Sequence, residues 1–326
     1  MTLTAAPSHG WTRAHADAGG LIDPASLMRL KSMELRAKVI VEGFWKGIHR
    51  SPYHGFSVEF TEYRQYTPGD DPRHIDWRVY ARSDRYYVKK FEDETNLRCH
   101  LLVDHSRSMD YGSTGYTKAQ YAGTLAATLA YFLYTQGDAV GLATFDDRIR
   151  QYLPPRNRPN YLRRLMLALE ATPQGIATDL GPPLRHLVQR LTKRGLVVAL
   201  SDLLTSIDSL ETDLGYLRAG GHDVVVFQIL DPAELEFNFD MPAIFKDIET
   251  GRDMYVDPAA VHKGYKRMLD RHLAQAKSAC QNLGIDYHLF ATDRPFDLAL
   301  MEFLQHRMRS RKQVRSRAAP CTRRMA

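Results

Sequence analysis

The sequence lacks the features that identify several large protein classes. Its 326 residues contain three cysteines, Cys99, Cys280 and Cys321, which lie far apart and form no CxxC pair. A disulfide scaffold and a zinc knuckle are therefore excluded, and reduced thiols predict a cytoplasmic location. No run approaches the roughly 18 apolar residues that a membrane-spanning helix needs. The N-terminal segment also lacks the apolar core of a signal peptide.

The motifs of several common enzyme classes are also absent. The sequence has no GxxxxGK[ST] loop and no GxSxG elbow, which excludes a P-loop ATPase and argues against a hydrolase of the elbow type. An aspartyl phosphotransferase would place Asp104 after a central strand, but Ser106 stands where its second acid is expected. We therefore predict that the protein is not an enzyme, and a metal-dependent phosphoester hydrolase is kept as an alternative.

The positive charge of the chain is confined to its C-terminal end. The net charge is +6, but residues 305–326 carry eight Lys and Arg and no Asp or Glu, which leaves −2 for the remainder. Two interpretations of this basic tail stay open. It is either a solvated, disordered end or a segment that touches RNA, acidic lipid or an acidic partner. No specific nucleic-acid binding is predicted, because the rest of the chain is close to neutral.

Apolar runs alternate with segments of helical spacing from residue 97 onward. Strands are predicted over residues 97–103, 139–145, 196–201, 223–230 and 285–291, with helices between them. This alternation predicts an α/β fold with a doubly wound, mainly parallel sheet of the Rossmann type.

Four regions are predicted along the chain. They are a disordered leader (1–22), a small helix and β-rich subdomain (23–95), the sheet domain (96–304) and a basic, disordered tail (305–326). In the second region, Asp23 and Pro24 predict the start of a helix that runs to about Val41. Residues 237–255 are predicted to form an insertion with hairpin character.

Oxygen-bearing side chains follow the predicted strands. Asp104, Ser106 and Ser108 form a DxSxS pattern after the first buried strand, Thr178 precedes a helix, and Asp202 follows the strand 196–201. Ligands of parallel sheets bind beyond the carboxyl ends of the strands, so these side chains are expected at one edge. Carboxylate and hydroxyl oxygens suit Mg²⁺. The DxSxS pattern alone is equally typical of a turn that caps the next helix.

Together these loops resemble the metal-ion-dependent adhesion site (MIDAS) of von Willebrand factor A domains, over about residues 97–292. The resemblance implies that five residues hold Mg²⁺ or Mn²⁺, directly or through water: Asp104, Ser106, Ser108, Thr178 and Asp202. It also implies a coordination position that a carboxylate of a partner protein fills. Arg107 stands where many members of that family have glycine, and its charge is expected to weaken metal binding or to steer an acidic partner.

A second pattern lies upstream of the predicted sheet. It comprises EYRQYTPGDDPRHIDW (62–77), YAR (80–82) and SDR (83–85), followed by Lys89, Phe91 and Glu92. This pattern resembles the signature of the domain of unknown function family 58, bacterial proteins commonly encoded beside MoxR-type AAA+ ATPases. With the sheet domain, the resemblance spans about residues 35–305. It implies a MoxR-type ATPase and an unknown client protein as partners.

The same upstream segment mixes Arg and Asp around aromatic residues. It is either a hydrogen-bonded scaffold or a docking surface in which Arg64, Arg73 and Arg82 make forked bonds to carboxylates. We therefore predict a non-catalytic, metal-dependent interaction module, a chaperone-like adaptor in the assembly or maturation of a client complex. The remaining alternative is an RNA- or membrane-associated factor that acts through the tail.

Overall fold

The computed structural model describes residues 23–50, 63–66, 86–89, 97–171, 181–191, 193–239, 241–246 and 253–304. The chain divides into two units, one formed by Lys46–Asn96 and the other by Met1–Trp45 with Leu97–Ala326. The longer segment of the larger unit starts at Leu97, one residue after the predicted start of the sheet domain at residue 96. The predicted leader and tail lie outside the described residues.

Ten strands are described. They are β1 (Tyr63–Gln65), β2 (Tyr87–Lys89), β3 (Arg98–Asp104), β4 (Ala139–Phe145), β5 (Ile149–Arg156), β6 (Leu196–Ser201), β7 (Asp223–Leu230), β8 (Ala243–Lys246), β9 (Asp253–Val256) and β10 (Asp286–Ala291). The central sheet has the order β10–β7–β6–β3–β4–β5. Its strands are parallel except β5, which pairs antiparallel with β4. The predicted doubly wound, mainly parallel sheet is therefore confirmed.

The described helices are α1 (Pro24–Met28), α2 (Met33–Arg50), α3 (Lys118–Thr135), α4 (Pro159–Leu169), α5 (Gly181–Arg190), α6 (Ile207–Ala219), α7 (Pro232–Glu236), α8 (Pro258–Asn282) and α9 (296–304). A short 3-10 turn spans Arg107–Asp110. Strands β8 and β9 pair antiparallel, as the predicted hairpin requires. Within the described part of the chain, none of the helices is long and apolar enough to cross a membrane.

The single helix predicted from Asp23 to Val41 is wrong, because two helices occupy this segment. The first ends at Met28 and the second begins at Met33. The Ser32 hydroxyl accepts a hydrogen bond from the Leu35 amide at 3.3 Å, which favours a new helix start there. The Arg36 guanidinium binds the Leu30 carbonyl at 2.6 Å and holds the intervening turn.

Helix α1, and α2 as far as Trp45, belong to the unit that contains the sheet. The Met33 amide donates to Glu170 Oε1 at 3.2 Å, and Arg36 donates to Thr124 Oγ1 at 3.4 Å. The predicted subdomain 23–95 is thus divided, since only its residues from Lys46 onward form the smaller unit.

Helices cover both faces of the central sheet. On one face, Leu102 and Val226 pack with Leu187 of α5, Leu214 of α6 and Cys280 of α8. On the other face, α3 contacts β3, β4, β6 and β7. Each strand therefore buries alternate residues against different helices, which explains why the parallel strands are continuous apolar runs in the sequence.

The chain order of the strands reverses direction at β3. Strand β4 lies on one side of β3, and β6, the next parallel strand along the chain, lies on the other side. A doubly wound sheet has its binding crevice at this switch point, beyond the carboxyl ends of the strands. The end of β3 is Asp104, the first residue of the predicted metal set.

Truncation of Leu102 tests the assignment of the core. Leu102 is 1% exposed on the central strand, so Leu102→Ala should lower the free energy of unfolding by about 2–4 kcal/mol. Leu167 is 59% exposed on α4, so Leu167→Ala should change it by less than about 0.5 kcal/mol. Urea denaturation of both variants provides the comparison. Equal losses would contradict the placement of β3 in the core.

Candidate functional site

Four parallel strands carry an aspartate at their carboxyl ends. Asp104 is the last residue of β3, and Asp146, Asp202 and Asp231 directly follow β4, β6 and β7. All four are 0% exposed. Ordinary globular domains rarely bury so many carboxylates without partners, because each loses its hydration. The partners of these four groups therefore define the chemistry of this edge.

Asp104 is held by hydroxyl and amide donors. Its Oδ1 accepts from the Ser106 amide at 2.8 Å, and its Oδ2 accepts from the Ser201 hydroxyl at 2.5 Å. Among the described residues, no ion pair is formed by Asp104. Burial, together with the nearby charge of Asp202, raises the pKa of Asp104 to about 7. Within the described part of the chain, no cation compensates the negative charge on Asp104, and a bound cation would stabilise it.

The loop after β3 brings two hydroxyls together beside Asp104. Ser106 has an extended backbone and precedes the 3-10 turn, and its Oγ lies 3.0 Å from Ser108 Oγ. Ser106 is buried and Ser108 is half-buried, whereas Arg107 between them is exposed. The Ser106 side chain does not cap the turn, and α3 is capped by Thr117. Helix capping therefore does not account for the two serines.

Asp202 has a cation of the protein itself as its partner. The Lys118 ammonium donates to Asp202 Oδ2 at 2.9 Å and to Glu234 Oε1 at 2.7 Å, and the Lys118 side chain is fully buried. The other Asp202 oxygen accepts from the Leu204 amide at 3.3 Å. Burial lowers the pKa of Lys118, but the charges of Asp202 and Glu234 outweigh it and raise the pKa overall. Lys118 is therefore held in its charged form.

The two outer aspartates are satisfied in different ways. Asp146 Oδ2 pairs with the Arg150 guanidinium, whose Nε lies at 2.6 Å. Asp231 accepts from the Ser113 amide at 2.8 Å, from the Ser113 hydroxyl and from the Ala233 amide at 2.8 Å. Asp231 thereby caps α7 and ties the loop that precedes α3 to the end of β7. Neither outer aspartate has a described hydrogen bond to Ser106 or Ser108.

The donor set at the end of β3 fits a hard divalent cation. Within the described ranges, no group of three or more His, Cys, Asp and Glu side chains is arranged to hold a metal. A soft or nitrogen-rich site is thus not indicated. The Lys118 ammonium faces the carboxylates of Asp202 and Glu234, and the charge of Asp202 acts on Asp104, so these four groups carry a net charge of −2 when all are ionised. Together with the serine hydroxyls, this is the chemistry that Mg²⁺ prefers.

The structure brings together four of the five predicted metal ligands at one sheet edge: Asp104, Ser106, Ser108 and Asp202. Thr178 lies outside the described residues. Of the predicted partner-binding arginines, Arg107 is exposed beside the serines. Arg64 lies on β1 opposite Val88 of β2, and nothing further is described of its side chain. Arg73 and Arg82 lie outside the described residues.

Sequence reasoning missed Lys118 and Glu234, which are central to the site. Lys118 is the one charged residue in an otherwise apolar helix sequence, KAQYAGTLAATLAYFLYT, and this isolation was a usable signal. Asp146 and Asp231 were also missed, although each directly follows a predicted strand. The strand-end rule that identified Asp104 and Asp202 applies to them equally.

Known proteins with similar sequences cover most of the chain. The uncharacterized proteins Rv1480 of Mycobacterium tuberculosis and Mb1516 of Mycobacterium bovis are each 27% identical over 298 residues, which is 89% of this chain and 92% of theirs.

Solved structures superpose on part of the chain. An aerotolerance-related membrane protein of Bacteroides fragilis covers 64% of this chain and 97% of its own, with 14% identity and a TM-score of 0.43. The SpRpn10 VWA domain covers 64% of this chain and 94% of its own, with 13% identity and a TM-score of 0.37. The fold assignment rests on the order and direction of the strands, not on these superpositions.

A family model matches the segment that carries the upstream signature and most of the sheet. The model is described as protein of unknown function DUF58, and it matches residues 62–275. This span includes β3, β4, β6 and β7, whose carboxyl ends bear the four buried aspartates. The predicted membership is therefore confirmed, and the chain belongs to the DUF58 family.

Proposed function

We propose that the protein is a non-catalytic, metal-dependent interaction module whose cation site lies at the end of β3. One observation carries the proposal: Asp104 is buried beside two adjacent serine hydroxyls and has no cationic partner among the residues that the structure describes. Asp104, Ser106 and Ser108 would hold Mg²⁺ or Mn²⁺, with Asp202 nearby and Thr178 as the fifth member of the set. When bound, the cation supplies a coordination position that a carboxylate of a partner protein fills.

A binding role is favoured over the hydrolase alternative by the surroundings of Asp104. Both of its oxygens accept hydrogen bonds, and its pKa is raised to about 7 by burial and by Asp202. A hydrolase that uses an aspartyl nucleophile also needs an acid beside it to protonate the leaving group. Ser106 occupies the position of the acid that such an enzyme would use.

The proposed partners are a MoxR-type AAA+ ATPase and a client protein, as the family resemblance implies. An exposed cation beside the two serines supports an acidic partner group. Arg107 is exposed between Ser106 and Ser108, so its charge would attract a carboxylate toward the cation. The proposal includes a cytoplasmic location, which agrees with the free, buried thiols of Cys99 and Cys280.

Replacement of Asp104 tests the metal site. Asp104→Ala should abolish Mn²⁺ binding in isothermal titration calorimetry, because it removes the uncompensated carboxylate from the donor set. The matched control is Asp110→Asn in the same loop, where the carboxylate is exposed, and it should bind Mn²⁺ like the unaltered protein. Equal Mn²⁺ affinity in Asp104→Ala and the unaltered protein would remove this site from the proposal.

The raised pKa of Asp104 predicts an unusual pH dependence of stability without metal. The folded pKa of about 7 exceeds the ordinary Asp value of 3.8, so the folded state binds the proton more tightly. Asp104 therefore lowers stability as the pH rises between these two values, by at most about 1.4 kcal/mol per pH unit.

Asp104→Asn should accordingly stabilise the metal-free protein at pH 8, and this gain should shrink toward pH 5. Urea denaturation in the presence of chelator measures the difference at each pH. If the free energies of unfolding of Asp104→Asn and the unaltered protein differ by the same amount from pH 5 to pH 8, burial does not raise the pKa of Asp104.

Partner binding is expected to need the serine ligand more than the basic tail. Ser106→Ala should weaken a pull-down of the MoxR-type ATPase in Mg²⁺, as chelator should for the unaltered protein, while circular dichroism stays unchanged. Removal of residues 306–326 should leave the complex largely intact at physiological salt, because exposed charges beyond about 8 Å are screened. The opposite pattern would identify the tail as the binding element.

A further inference from the structure

Lys118 is buried in a place where a lysine is costly. Its side chain is 0% exposed, at the first position of α3. A cation at a helix N-terminus opposes the helix dipole, and a buried ammonium loses its hydration. The remaining residues of α3 are uncharged, so nothing in the helix itself calls for this charge. The two carboxylates that it touches are therefore the reason for its position.

Lys118 divides the edge carboxylates into two kinds. Asp202 and Glu234 receive its ammonium at 2.9 and 2.7 Å. Asp104 is bound by hydroxyl and amide donors, with no cationic partner among the described residues. Asp104 and Asp202 are nonetheless close enough for the charge of one to act on the other. A divalent cation at Asp104 would thus lie near an ammonium that already neutralises Asp202.

We propose that Lys118 is a resident counter-ion that competes with the divalent cation for Asp202 and keeps metal affinity low in the free protein. This inference rests on the proposed function and concerns the regulation of the same site. The ammonium repels a cation at Asp104 and withholds one Asp202 oxygen from it. A carboxylate from a partner protein adds a negative charge in place of the Asp202 charge that Lys118 neutralises. Tight metal binding is therefore coupled to partner binding.

Removal of the Lys118 charge tests this competition. Lys118→Met keeps an unbranched side chain of similar length and should bind Mn²⁺ at least about tenfold more tightly in calorimetry. Its melting temperature should also rise more with added Mg²⁺ than that of the unaltered protein, because the cation then replaces the lost counter-charge.

Three further variants separate competition from general damage. Lys118→Met leaves the buried Asp202 and the half-buried Glu234 without their cation. The double variant Lys118→Met with Glu234→Gln keeps the net charge and guards against misfolding. This double variant should also bind Mn²⁺ more tightly. Lys118→Arg retains the charge and should not gain affinity. Lys38→Met removes an exposed lysine that pairs with Glu42 on α2 and should match the unaltered protein.

The possible outcomes are distinct. Tighter Mn²⁺ binding by Lys118→Met and the double variant, but not by the two controls, supports the inference. Folded Lys118 variants with unchanged or weaker affinity overturn it and leave the proposed metal site standing. If neither the unaltered protein nor any Lys118 variant binds Mn²⁺, the proposed function fails and the inference fails with it.

Discussion

The ion pair of Lys118 with Asp202 and Glu234 joins segments of the chain that are far apart in sequence. It links the start of α3 to the end of β6 and to α7, with separations of 84 and 116 residues. An isolated buried charge in this group would be strongly destabilising, so each member depends on the others. The arrangement holds the carboxyl edge of the sheet together around the switch point, where Asp104 has no cationic partner among the described residues.

The carboxyl edge of the central sheet holds four buried aspartates next to an ordinary α/β core. The inner parallel strands β3, β4, β6 and β7 are buried, and each ends at or directly before an aspartate at one edge of the sheet. Arg150 and Lys118 neutralise the aspartates after β4 and β6, and backbone amides satisfy the one after β7. The sheet can therefore accommodate the buried carboxylate of Asp104 in the middle of this edge. Cation binding would offset the cost of removing that carboxylate from water.

The five parallel strands of the central sheet could be predicted from the sequence, because buried parallel strands have continuous runs of apolar residues. The segments 139–145, 196–201 and 223–230 form strands with the predicted ends. The break between α1 and α2 was missed because it depends on Ser32 and on Arg36 contacts, including one with Thr124 in α3. The site was only partly predictable because it, too, depends on contacts between residues that are distant in sequence. Side chains after strands can be found by pattern, whereas the Lys118–Glu234 contact arises only when the chain folds.

The account depends most on where a divalent cation binds. A crystal grown with Mn²⁺ and measured at the manganese absorption edge would locate the ion by its anomalous signal. The account predicts a peak beside the carboxylate of Asp104 and the hydroxyls of Ser106 and Ser108, with the Lys118 ammonium still near Asp202. A well-ordered site edge with no manganese peak, or a peak elsewhere on the protein, would contradict it.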